Sequence, residues 1–123
     1  MDGRRMLIPE YPLILLPSLA VAIGLNEAIV LQQICYWLST SRHEHEGRIW
    51  IYNSYDEWQT QLPFLSRSTI QRTMAKLVES GLILTGKFSK SAFDHRLWYT
   101  IDFEKFDALD IKPQRNVEQV NGI

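Results

Sequence analysis

Residues 54–81 are the most tightly punctuated part of this chain and limit its fold more than any other segment. Asn53 and Ser54 supply turn and N-cap chemistry, and Glu57 follows Ser54 by three positions, the spacing at which the pair can satisfy each other's free backbone N–H groups. A helix is therefore expected over residues 55–62, stopped by Pro63. The next helix opens at Ser66, whose hydroxyl can accept from the first free N–H groups. It closes at Ser80 and Gly81, where glycine takes the left-handed turn, so it should span residues 66–80. Its apolar stripe is Ile70, Met74, Leu77 and Val78. Opposite lie Ser68, Gln71, Arg72, Ala75 and Lys76, a polar face with two cations and no acid. Two capped helices across a short proline-containing turn predict a helix-turn-helix.

What flags that pair reads as β-structure. Residues 48–52 (Arg-Ile-Trp-Ile-Tyr) are rich in β-branched and aromatic side chains. Residues 82–88 and 96–101 read as two strands around a polar tip, 89–95. The three would form an antiparallel sheet burying Ile49, Ile51, Leu82, Leu84, Trp98 or Tyr99, and Ile101 by alternation. The expected fold class is α+β: a winged helix-turn-helix, mainly helical, with a small three-stranded sheet and a closing helix near residues 104–109. Residues 40–47 read as a polar loop.

Ahead of this unit, residues 1–24 read as an extended, proline-punctuated packing arm, and Gly24 releases the chain into a helix over 25–39. That helix is apolar on two sides: Leu25, Ala28, Ile29 and Tyr36 on one, Val30, Ile34 and Trp37 on nearly the opposite one. Either the arm covers the second face, or Val30, Ile34 and Trp37 form a homodimer seam. Arg4 and Arg5 before an apolar stretch ending Ala20-Val21-Ala22 have some features of a signal peptide. Pro12 and Pro17 interrupt that stretch, however, and no run approaches the roughly 18 apolar residues of a membrane span, so neither secretion nor membrane insertion is expected. The domain should cover residues 25–110, with 111–123 a disordered tail.

Charge and cysteine usage narrow the function. With 46% hydrophobic and 22% charged residues the chain is an ordinary globular one. Cys35, the single cysteine, falls in an apolar helical pattern and reads as a small buried hydrophobe, so a reducing cytoplasm fits. A net charge of −1 gives no overall attraction to nucleic acid. Residues 62–100 nevertheless hold Arg67, Arg72, Lys76, Lys87, Lys90 and Arg96 against only Glu79 and Asp94. This local excess predicts a double-stranded DNA surface: Gln71 and Arg72 at base edges, Ser68 and Thr69 at phosphates near the helix start, and Arg67, Lys76, Lys87, Lys90 and Arg96 along the backbone.

Other constellations are weaker. His43-Glu44-His45-Glu46 contains metal-binding residue types on a loop without a partner cluster, so no metal or cofactor is expected. Ser89, Ser91, Asp94 and His95 contain the residue types of a hydrolase triad, but a hairpin tip cannot make a dry pocket, so no enzymatic activity is expected. Trp50, Trp58 and Trp98 fit the core better than a base-stacking surface.

Several segments together resemble a known family: residues 16–21 (Leu-Pro-Ser-Leu-Ala-Val), residues 23–34 (Ile-Gly-Leu-Asn-Glu-Ala-Ile-Val-Leu-Gln-Gln-Ile), Tyr36-Trp37, residues 50–55 (Trp-Ile-Tyr-Asn-Ser-Tyr), Trp58, Pro63-Phe64, Ser68-Thr69-Ile70, Arg72, Leu77, Gly81-Leu82-Ile83 and residues 98–102 (Trp-Tyr-Thr-Ile-Asp). The chain resembles, over about residues 11–106, the N-terminal domain of phage and plasmid replication-initiation or replisome-organiser proteins. The resemblance implies a winged helix, a cytoplasmic setting in a bacterial host and DNA binding on behalf of a mobile element, in replication initiation or transcription control. Ser68, Thr69 and Arg72 stand at its recognition-helix positions. Family members commonly continue into a region that recruits helicase machinery, whereas this chain ends soon after Phe106. A promoter repressor, or an anti-CRISPR-like inhibitor that binds a host replication or defence protein, is the alternative expectation.

Overall fold

The computed structural model describes residues 7–113. Their order is α1 (Pro17–Ile23), α2 (Leu25–Leu38), β1 (His43–His45), β2 (Arg48–Asn53), α3 (Tyr55–Gln61), α4 (Arg67–Glu79), β3 (Ile83–Gly86), β4 (Leu97–Ile101) and α5 (Phe103–Asp107). The class is α+β, as expected. The four strands form one antiparallel arrangement in the order β1-β2-β4-β3, so the sheet has one strand more than the expected three.

The extended arm expected over residues 1–24 is a helix over Pro17–Ile23, with bends at residues 7–10. Pro17 takes the first position of α1, where its missing N–H costs no hydrogen bond, so it starts a helix instead of breaking one. Gly24, at φ 106, closes α1 through its N–H to the Ala20 carbonyl (2.9 Å) and opens α2. A Cβ at Gly24 would collide with the Glu27 carboxylate.

Burial of α2 takes residues from both of its expected apolar faces. Ala28, Val30, Leu31 and Ile34 are buried in the common core, where α2 packs against α1, α4, β2 and β4. Val30 and Ile34 therefore cannot form a seam between protomers. Trp37 stays 39% exposed, its indole N–H donating to Gln61 Oε1 on α3 (3.3 Å). Leu25 and Tyr36, expected inside, are 55% and 52% exposed. Cys35 is exposed, not buried.

Residues 40–47 also depart from expectation. Glu46 (φ 53) and Gly47 (φ 74) form a two-residue turn with both residues left-handed, and this turn pairs His45 with Arg48 and folds His43–His45 back as β1. On the helix side of the sheet Ile51, Ile83, Tyr99 and Ile101 enter the core, with Leu82 just before β3. Ile49 is exposed and Leu84 only half-buried, so β3 runs in the opposite phase to that expected.

The paired helices follow the sequence closely. Ser54 and Glu57 form the expected capping box at α3. Ser66 caps α4 by accepting from the Thr69 N–H, and Gly81, at φ 79, ends it. Trp58, Leu62, Ile70, Met74 and Leu77 join α3 and α4 to the core. α5 is capped by Asp102, and Ile111 packs against the core, so the tail expected over 111–123 begins as packed chain. Residues 1–6 and 114–123 lie outside the described residues.

Candidate nucleic-acid interface

α4 separates its two sides cleanly. The buried stripe is Ile70, Thr73, Met74 and Leu77, while Val78, expected in it, is 43% exposed. Thr73 fits because its hydroxyl donates to the Thr69 carbonyl (2.8 Å), so its polar atom is satisfied inside the helix. Ser68, Gln71, Arg72, Ala75 and Lys76 are all exposed, and no acid joins them until Glu79 in the last turn. Thr69 is half-buried with its hydroxyl occupied. Its Oγ1 accepts from Ser66 Oγ (2.9 Å) and from Arg72 Nη2 (3.2 Å), so it orients Arg72.

Arg67 bridges α4 to α3. Its guanidinium is 3.3 Å from Asp56 Oδ1 and 5.6 Å from the Tyr55 ring centroid. With both partners well exposed, that ion pair contributes little, and a stronger anion could displace it. On its other side Tyr55 lines a cleft of about 460 Å³ together with Asn53, Lys87, Ser89, Asp94 and Arg96. Tyr55 thus adjoins both the first turn of α4 and the base of the β3–β4 loop.

That loop, residues 87–96, is braced at its base. Arg96 grips Asp94 in a two-pronged pair, Nε to Oδ1 at 2.9 Å and Nη2 to Oδ2 at 2.7 Å, and lies 4.3 Å over the Tyr52 ring centroid. Hydrogen bonds from Arg96 hold the Asp94 carboxyl well below the usual carboxylate range. Ser89 donates to Asp94 Oδ2 (3.1 Å) and accepts from the Trp98 indole N–H (3.2 Å). Arg96 was expected on the DNA backbone, but its charge is spent inside the loop; Lys87 and Lys90 are exposed.

Sequence reasoning missed the aromatic layer on the outer face of the sheet. The His45 ring stacks on Phe88 at 4.4 Å with 4° between planes, and Trp98 meets His43, His45 and Tyr52 within 5.3 Å. Trp50 packs against Phe88 at 4.8 Å and donates to the His45 carbonyl (2.8 Å). β1 thereby clamps Phe88, the second residue of the loop. The one sequence signal for this was the Glu46-Gly47 turn, which brings two histidines onto the face of Trp50 and Trp98. Trp50, Trp58 and Trp98 are all buried, which leaves no open ring face for a base. Among the described residues no group of three or more His, Cys, Asp or Glu is placed to hold a metal ion. No helix among them is long and apolar enough to cross a membrane. No protein family, curated protein or solved structure matches the chain.

Proposed function

We propose that the chain is a winged helix-turn-helix protein that binds duplex DNA, with α4 as the recognition helix and residues 87–96 as the wing. The observation that carries this reading is the outer face of α4, where Ser68, Gln71, Arg72 and Lys76 are exposed together opposite a fully buried stripe. A B-DNA major groove about 12 Å wide admits one α-helix and displays paired donors and acceptors. Gln71 suits adenine and Arg72 guanine in two-point contacts. Ser68, Lys76, Lys87 and Lys90 take backbone phosphates, and Arg67 exchanges Asp56 for one. The resemblance to mobile-element replication proteins supports a role in replication initiation or transcription control.

The test is binding to random-sequence duplex DNA across a salt series. Affinity should fall as salt rises, and Lys76→Ala should reduce the slope of log K against log salt by about 1. Arg72→Ala should cost about 1–3 kcal/mol against a preferred sequence. Absence of salt-sensitive binding, or unchanged binding by both variants, overturns the assignment and favours a host protein as the partner.

A further inference from the structure

One long stretch of the chain is almost free of charge. From residue 11 to residue 41 the chain carries a single charged side chain, Glu27. This stretch supplies the segment 11–16, which lies in no helix or strand, and α1 and α2. Leu13, Ile14, Leu15 and Leu16 are 40–56% exposed, and Leu25 and Tyr36 on the outer face of α2 are about as open. Residues 11–14 border a groove of about 540 Å³ whose other wall is Gln32, Gln33, Tyr36 and Trp37. Among the described residues, the backbone of 11–15 makes no hydrogen bond.

Six half-exposed large apolar side chains amount to several hundred Å², the size at which an exposed patch marks an interaction surface. That is of the order of the ~800 Å² each partner gives to a stable complex. We propose that this surface joins the chain to a second copy of itself, the segment 11–16 and the outer face of α2 from each protomer meeting across a two-fold axis.

Two observations favour a second copy over a foreign partner. A surface without net charge of either sign meets its own image without like-charge repulsion, and it offers a charged partner nothing to pair with. A segment outside helix and strand whose backbone is unpaired can also satisfy its C=O groups, and its N–H groups other than at Pro12, against its own symmetry mate, because an antiparallel pair of identical segments is two-fold symmetric. Leu15 and Leu16 of one protomer then lie toward the groove of the other. The dimer leaves the recognition face open, because α2 and α4 turn their buried stripes to a common core and their outer faces away from it. The inference does not depend on DNA binding.

Sedimentation equilibrium of the full chain at tens of micromolar should give twice the 14.4 kDa monomer mass. An uncharged interface should hold that mass from low to high salt, whereas DNA binding should not survive the same range. Leu15→Lys and Tyr36→Lys place a charge at exposed positions and should each weaken the dimer at least tenfold with an unchanged circular dichroism spectrum. Phe93→Lys, on the 87–96 loop, should leave the dimer intact. A 14.4 kDa species from the wild-type chain at this concentration overturns the proposal. So does a dimer that persists in both lysine variants.

Discussion

Arg72 is held in place before any ligand arrives. Its guanidinium donates to Thr69 Oγ1, and the same oxygen accepts from Ser66, the residue that caps the helix. Thr69→Val keeps the β-branched shape and the Ser66 cap but removes that acceptor. It should weaken DNA binding several-fold, less than Arg72→Ala, with little change in Tm; fluorescence anisotropy and a thermal melt separate the two effects. In the loop, Asp94 is ionised more readily in the folded chain than in the unfolded one, since Arg96 bonds to its charged form. What it contributes is present above the ordinary carboxylate pKa of 3.8 and is lost as pH falls below it. Asp94→Asn should accelerate amide hydrogen exchange across residues 87–96 while α2 and α4 exchange as before. Tyr99 behaves in the opposite sense. Burial pushes its hydroxyl up to about 12, so its neutral form is favoured in the fold. The stability it contributes is complete below pH 10 and is lost as pH rises toward 12. Alkaline unfolding in that window should be less steep for Tyr99→Phe.

At the scale of elements, what was legible was the local chemistry between side chains and backbone. The Ser54–Glu57 box, the Ser66 cap and the Gly81 terminus each involve atoms a few residues apart, so they place α3 and α4 without any knowledge of the tertiary fold. Choices decided by packing were not legible. α2 is apolar on two sides, and only the arrival of α4 and the sheet decides that Val30 and Ile34 face inward. Ile83 and Leu84 are equally apolar neighbours, so β3 has two phases of similar merit until Ile83 pairs with Ile101. β1 carries His-Glu-His, poor strand formers, and exists because the Glu46-Gly47 turn returns it onto Trp50. A Cβ on Gly47 would meet no atom within 4 Å, so the cost of Gly47→Ala is backbone strain alone. It should destabilise the fold by about 1 kcal/mol, and a urea midpoint shift without a change in m measures it. The exposed, acid-poor face of α4 was legible from helical spacing alone. Arg96 was misread because its partner, Asp94, is two residues away in a loop whose shape no periodicity encodes.

The whole chain divides its charge by segment. Residues 11–41 are nearly uncharged, while residues 62–100 hold six cations against two acids, one of which is consumed by Arg96. A net charge of −1 hides this division. The cations that remain available sit on α4 and the 87–96 loop, which meet at Tyr55. The most direct test is to titrate the isotope-labelled chain with a short duplex and record which backbone amide resonances move. The account predicts the largest shifts at Ser68, Gln71, Arg72 and Lys76 and at Lys87 and Lys90, shrinking as salt is added, with Leu25 and Tyr36 unmoved. Shifts centred on the outer face of α2, or none at all at low salt, would contradict it.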